Sequence, residues 1–195
     1  FHVSTADYLR LGEGDRFHTT PHANDVLSVA APAAFGFLDH DISPITYEGR
    51  GEITEEEWEE WEDRPTGLHM NEGESLSLIG GNIEIRKGTS VSYQNMDEAG
   101  NPVMETEPLE DVVAPGGRIS IASVASPGEV IPGETELNVT SPEKGNVTIS
   151  DQIVLSADGD GGGSILIRAG EFVAEDSHVR SRTFGSKDGG VVDIH

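Results

Sequence analysis

The sequence has no cysteine, few cationic side chains and no long apolar run. Lys and Arg number 12 and Asp and Glu 36 in 195 residues, which gives a formal net charge of −24. Without cysteine the chain has neither a disulfide framework nor a thiolate metal site. The shortage of cations argues against nucleic acid as a partner, because phosphate groups are bound by clustered Lys and Arg. No stretch approaches the roughly 18–20 apolar residues of a spanning helix, so we expect no membrane insertion.

The composition favours short strands joined by turns. Gly occurs 24 times and Pro 10 times, while the hydrophobic fraction of 35% is enough to form the core of one domain. Thr, Val, Ile and Ser are frequent, and long helix-forming runs are rare, so we predict an all-β fold. The chain begins at Phe1 without an initiator Met or signal-peptide pattern and ends at His195 inside a predicted strand. We therefore expect an internal segment of a longer polypeptide.

A glycine pair followed by alternating apolar residues recurs four times. A glycine turn that leads into a short strand is typical of coils that stack, since one such strand cannot bury its apolar face alone. The starts lie 36, 46 and 27 residues apart, which indicates one or two coils per interval with loops of varying length. The repeats are Gly80-Gly81-Asn82-Ile83-Glu84-Ile85, Gly116-Gly117-Arg118-Ile119-Ser120-Ile121, Gly162-Gly163-Ser164-Ile165-Leu166-Ile167 and Gly189-Gly190-Val191-Val192-Asp193-Ile194.

The last full coil has the clearest strand pattern. Strands are predicted at Ser164–Arg168, Glu171–Ala174 and His178–Ser181, separated by short turns. Three strands per coil is the signature of a parallel β-helix, a solenoid. We predict such a solenoid over residues 1–195, with one short inserted helix and one inserted loop at 94–111.

The inserted helix is predicted within an acidic segment, residues 51–67, that contains both tryptophans of the chain. Thr54 and Glu57 match a capping box, and Pro65 supplies a stop, so we expect a helix over 54–63. Trp58 and Trp61 stand three residues apart and share a face of that helix. They either pin the helix to the solenoid or form a stacking platform for a glycan or partner chain. We favour pinning, because so short a helix needs tertiary contacts in water.

Five segments carry a resemblance to a known family: residues 1–11, 31–38, 76–83, 114–130 and 160–168. They resemble the filamentous-haemagglutinin-like exoproteins of two-partner secretion. The resemblance implies a right-handed parallel β-helix that is secreted through a partner outer-membrane β-barrel transporter of a Gram-negative bacterium. Residues 1–50 would be the end of the haemagglutination/secretion domain, and 68–195 the coils of the passenger. The family's Asn-Pro-Asn-Gly type secretion motifs are absent, and 52–63 and 94–111 depart from its pattern.

Few residues stand out as candidate sites. Asp158 and Asp160 alternate with glycine as in a calcium loop, although the same residues also suit a flexible turn between coils. No other cofactor is expected. Asn138 and Asn146 fit the glycosylation acceptor pattern, yet ordinary strand residues would look the same. The seven histidines are scattered, so solvent-facing side chains are expected, and Asp39-His40-Asp41 could form a pH-sensitive or metal-binding tip.

The function that these patterns favour is non-enzymatic. We expect a secreted, rod-shaped adhesin on the outer cell surface, whose coils give reach while 52–63 and 94–111 meet a surface glycan or protein ligand. One alternative is an extracellular filament or surface-layer subunit whose copies associate end to end. Another is a carbohydrate-active β-helix enzyme of the pectate-lyase or tailspike sort, with paired carboxylates on neighbouring coils. The lack of a basic cluster argues against the lyase chemistry.

Overall fold

The computed structural model describes residues 1–12, 14–23, 25, 30, 32–59, 67–133 and 135–195. Strands make up 50% of the chain and helix 3%, so the predicted all-β class is confirmed. The described elements are, in chain order, β1 (His2–Ser4), β2 (Tyr8–Leu11), β3 (Asp15–His18), β4 (Pro32–Phe37), β5 (Ile45–Glu48), β6 (Glu52–Thr54), α1 (Glu55–Glu59), β7 (Leu68–His69), β8 (Ser75–Gly80), β9 (Ile83–Arg86), β10 (Ser90–Met96), β11 (Pro102–Pro108), β12 (Val112–Val113), β13 (Arg118–Ser123), β14 (Gly128–Pro132), β15 (Leu137–Val139), β16 (Asn146–Ile149), β17 (Val154–Ser156), β18 (Ser164–Arg168), β19 (Glu171–Ala174), β20 (His178–Arg180) and β21 (Val192–Ile194).

Three parallel sheets form the body of the molecule. The first parallel sheet has the order β1-β8-β13-β18-β21, the second β5-β9-β16-β19 and the third β7-β12-β17-β20. The chain visits them in a fixed order, since β8, β9 and β12 are followed by β13, β16 and β17 and then by β18, β19 and β20. Each passage through the three sheets is called a coil below. Neighbouring strands of each sheet therefore come from successive coils.

Alternation along each strand places one set of side chains between the three sheets. In the first parallel sheet Leu78, Ile121 and Ile167 are direct neighbours in register, and all three are buried. The same core receives Ile83 and Ile85 from the second sheet and Leu155 from the third. Because residues two apart share a strand face, the period-two apolar pattern of the sequence becomes a continuous apolar column through the coils.

Backbone crowding explains the second glycine of three repeats. Gly117 and Gly163 immediately precede β13 and β18, and the register of β18 with β21 aligns Gly190 with Gly163. A Cβ on Gly163 would lie 2.3 Å from the Gly117 carbonyl oxygen, and one on Gly190 would lie 1.7 Å from the Gly163 oxygen. Carbon and oxygen cannot approach so closely, so only glycine fits where these turns stack.

The first repeat occupies a different place. Gly80 and Gly81 separate β8 from β9, and Ile83 and Ile85 consequently belong to the second parallel sheet. The strand that pairs with β13 is β8, which the glycine pattern does not mark. The predicted one or two coils per interval is thus wrong for the first interval, which covers only part of a coil.

An antiparallel sheet covers the outer face of the first parallel sheet. Its strand order is β15-β14-β4-β2-β3. Phe35, Phe37 and Val130 pack from it against Ile79 and Leu166 of the first parallel sheet, forming a second apolar cluster. The solenoid prediction did not include this sheet.

A mixed sheet projects from the corner between the second and third parallel sheets. It has the order β11-β10-β6, with β10 antiparallel to β11 and parallel to β6. The prediction of a loop at 94–111 is wrong, because residues 102–108 form a strand that pairs with β10 over seven residue pairs. Asp97 and Asn101 close the hairpin through the bond from Asp97 N to Asn101 O (2.9 Å), and Gly100 takes a φ of 80°.

Of the predicted 54–63 helix, Glu55–Glu59 is helical, Thr54 is the last residue of β6, and residues 60–63 lie outside the described residues. The capping box is confirmed: Thr54 N donates to Glu57 Oε2 at 2.9 Å, and Glu57 N donates to Thr54 Oγ1 at 3.3 Å. Trp58 is half-buried, and α1 contacts β6 and β10. Trp61 lies outside the described residues. Among the described helices none is long and apolar enough to cross a membrane.

Candidate binding groove

A groove of ≈ 820 Å³ lies between the mixed sheet and the neighbouring corner of the body. The wall from the mixed sheet consists of Glu52, Ser90, Thr106 and Pro108. The wall from the corner consists of Gly51, Lys87, Gly88, Asp151, Gln152, Asp176, Ser177 and His178. The groove therefore runs across the turns of successive coils, with hydroxyl, amide and charged groups on both sides.

Hydrogen bonds join the three strands of the sheet wall on its groove face. The Ser92 hydroxyl donates to Glu52 Oε1 and lies 2.9 Å from Thr106 Oγ1. Ser92 is the register partner of Thr106, and the pairing of Ser90 with Glu52 places those two residues side by side as well. These contacts fix the carboxylate of Glu52 at the edge of the groove.

The corner wall is a stack of left-handed turns. Lys87, Asp151, Gln152 and Asp176 have φ values of 56°, 58°, 66° and 46°. Gly88 N donates to Asp151 O at 2.6 Å, and Gln152 N donates to Asp176 O at 2.9 Å, so the turns of three coils are joined by backbone bonds. Asn and Asp tolerate this conformation better than most residues, and here the same corner geometry recurs in successive coils.

The charge of the groove is negative. Asp151, Asp176 and Glu52 supply three carboxylates, against the ammonium of Lys87 and the imidazole of His178. Asp151 and Asp176 occupy neighbouring coils. Each lies two residues after a member of the strand pair Ile149 and Ala174. Their backbones are consequently one strand spacing apart, about 4.8 Å. The described lining has no Phe, Tyr or Trp side chain.

Asp111 anchors the base of the hairpin. Its buried carboxylate accepts the N–H of Thr89, just before β10, at 2.9 Å and that of Val154 in the next coil at 3.3 Å. Burial raises the pKa of Asp111 despite these hydrogen bonds. Burial together with the charge of Asp111 raises the pKa of Tyr47 to about 12. The base of the hairpin is thus hydrogen-bonded to a buried carboxylate of the body.

The two aspartates predicted to bind calcium have other partners. Asp158 Oδ2 accepts from Arg180 Nε at 3.0 Å and from Arg182 Nε at 2.8 Å, while Oδ1 accepts the Arg182 N–H at 2.6 Å. Burial alone would raise the pKa of Asp158, but the bonds and charges of the two arginines hold it below its usual value. Asp160 pairs with Lys187 at 3.0 Å. The calcium site stays a prediction that these ion pairs do not favour.

The remaining candidate residues lie away from the groove. Asn138 and Asn146 are exposed on β15 and β16, so glycosylation there stays a prediction. Asp39-His40-Asp41 is an exposed turn. His18 is not simply solvent-facing, because its Nδ1 lies 2.6 Å from Asp25 Oδ1 and its ring stacks on His22 at 4.3 Å. Within the described part of the chain no three His, Asp or Glu side chains are placed to hold a metal ion.

The groove residues could not be predicted from the sequence, because they are spread over four coils. The one local signal was the alternation of Ser90, Ser92 and Gln94 before the Gly100-Asn101 turn, which is typical of a hairpin. Comparison of the chain with models of known protein families, with characterised proteins and with solved structures finds no match.

Proposed function

We propose that the body is one right-handed parallel β-helix and that the chain is a non-enzymatic attachment segment of a secreted exoprotein. The fixed order of the three parallel sheets supports the solenoid, because each return to a sheet is a parallel crossover. Such crossovers are right-handed in nearly all proteins. The resemblance to two-partner-secretion exoproteins supports secretion through an outer-membrane β-barrel transporter to the surface of a Gram-negative bacterium.

The observation that carries the attachment role is the placement of the groove. The body buries its apolar residues in a continuous column, whereas the mixed sheet stands on its side and exposes polar and carboxylate groups. Inserted hairpins on a rigid scaffold are where binding residues concentrate. A rod that presents such a groove along its flank can hold a ligand without closing around it.

The experiment is an attachment assay with immobilised cells and glycans. Asp151→Asn/Asp176→Asn removes two groove charges, and Glu171→Gln/Asp188→Asn removes two exposed carboxylates elsewhere as the matched control. We expect the groove variant to lose attachment and the control to retain it. Equal attachment by both variants, with unchanged circular dichroism, would refute the groove as the contact surface.

A second candidate function is polysaccharide cleavage at the same groove. The observation in its favour is the pair Asp151 and Asp176 on neighbouring coils, because retaining glycosidases hold two carboxyl groups ≈ 5–5.5 Å apart. Incubation with acidic and neutral polysaccharides, followed by an assay for new reducing or unsaturated ends, separates the two functions. Release of ends that stops in Asp151→Asn would replace attachment with catalysis.

A further inference from the structure

The outer edge of the mixed sheet is formed by β11. β11 pairs with β10 on one side, and no described strand pairs with its other side. Backbone hydrogen bonds from Asp97 N to Asn101 O and from Leu109 N to Thr89 O lie at the two ends of the hairpin ladder. In an antiparallel ladder bonded pairs alternate with non-bonded ones, so the bonded β11 residues are Val103, Glu105 and Glu107. The N–H and C=O groups of Met104 and Thr106 consequently point to the free edge.

The groove lies along this free edge. Thr106 and Pro108 of β11 line it, together with Asp151 and Asp176 from the corners of the next two coils. β6, β10 and β11 follow the order of the coils, and a further strand beside β11 would extend the sheet wall over the corner at Asp176. Such a strand would occupy the groove with one row of its side chains directed toward the carboxylates.

The carboxylates on both faces of β11 determine which kind of extended strand could pair with it. Glu105 and Glu107 lie on the opposite face of β11 from Thr106, and Asp151, Asp176 and Glu52 lie on the groove side. A second copy of β11 would bring like charges together on the first of these faces, which opposes self-pairing. A strand rich in Lys or Arg would meet carboxylates on both faces.

We propose that the free edge of β11 and the adjoining groove bind an extended, basic polypeptide segment as an additional strand. Backbone bonds to Met104 and Thr106 would provide the affinity, and ion pairs with Asp151 and Asp176 the preference for basic side chains. The proposal rests on the proposed function in one respect, that the groove is the contact surface of the rod.

The probe is a short, blocked, fluorescent peptide of alternating lysine and valine, measured by anisotropy against the whole chain. We expect saturable binding that weakens as salt is raised and is absent for a peptide with glutamate in place of lysine. Thr106→Pro removes an edge N–H and should weaken binding about tenfold, whereas Thr106→Ala should not. Asp151→Asn/Asp176→Asn should weaken it about fivefold.

Modified peptides test the edge without altering the protein. N-methylation of one alternate set of peptide residues removes the N–H groups that face β11, and methylation of the other set removes those that face solvent. We expect one methylated peptide to lose binding and the other to keep it. Equal binding of the two, or binding unaffected by Thr106→Pro, would overturn the strand-addition proposal.

The outcomes also separate this proposal from the proposed function. Groove-dependent attachment to cells or glycans, without binding of the basic peptide, would refute the peptide partner and leave the attachment role in place. Binding of the peptide without any attachment would support strand addition and count against an adhesive rod.

Discussion

The parallel body, whose strands have two to six residues, and the hairpin of the mixed sheet, whose two strands have seven each, bury very different side chains. Ile119, Ile121 and Ile165 of the body are fully buried, whereas Met96 and Met104 of the hairpin are 64% and 69% exposed. Body strands have apolar neighbours from successive coils on the same face, and β11 has a neighbour on one side only within the described residues. We therefore expect the stacked coils to supply most of the stability of the molecule and the hairpin to supply little.

The largest difference should come from truncating one apolar side chain in each region. Ile121→Ala leaves a cavity between Leu78 and Ile167 and should lower the free energy of unfolding by about 4 kcal/mol. Met104→Ala should change it by less than about 0.5 kcal/mol, because that side chain is exposed. Urea denaturation of both variants measures the two values. Comparable losses would mean that the hairpin is part of the core.

Backbone crowding gives the next effect. Gly163→Ala brings a Cβ against the Gly117 carbonyl and should cost about 3 kcal/mol, since backbone atoms of two coils would have to move apart. The matched control is Gly14→Ala, where a Cβ would meet nothing within 4 Å. Thermal melting should show a lower Tm for the first variant alone. An unchanged Tm for Gly163→Ala would contradict the close stacking of the glycine turns.

Two buried aspartates should give opposite pH dependences. The lowered pKa of Asp158 adds stability above its unfolded pKa, about 3.9, and that stability is lost as pH falls through the folded value. The raised pKa of Asp111 works in the other direction: its contribution is complete below the unfolded pKa and is lost as pH rises through the folded value.

Asp158→Asn should therefore cost about 2 kcal/mol at neutral pH, and the cost should shrink in acid. Asp111→Asn, relative to the parent chain, should become less destabilising as pH rises above the unfolded pKa. Denaturation midpoints from neutral to acidic pH measure both profiles. If the stability cost of the two substitutions changed with pH in the same direction, the direction of the pKa shift of Asp158 or of Asp111 would be wrong.

The smallest effect concerns two hydroxyls between the first parallel sheet and the antiparallel sheet. Ser77 and Ser120 are register neighbours, and both Oγ atoms are buried without a hydrogen-bond partner in the described part of the structure. Ser120→Ala removes a polar atom that gains nothing from burial and should leave stability unchanged or raise it by up to about 1 kcal/mol. If Ser120→Ala instead lowers the free energy of unfolding by more than about 1 kcal/mol, the Ser120 hydroxyl makes a hydrogen bond.

The sequence predicted the body better than the mixed sheet for a physical reason. Inner positions such as Ile165 and Ile167 must be apolar, and this requirement repeats wherever a strand closes a coil. The strand β11 contains Glu105, Thr106 and Glu107 and has no buried face to impose such alternation, so it resembled a loop. The arginines that surround Asp158 come from the following coil, and the Asp-Gly spacing alone could not reveal them.

Hydrogen exchange measured by mass spectrometry tests most directly whether the stacked body is the stable scaffold and the hairpin a separate contact surface. We predict that amides of β8, β13 and β18 exchange slowest, through global unfolding, and that amides of β10 and β11 exchange faster through local opening. Equal protection of the hairpin and the body, or rapid exchange in β13, would contradict this account.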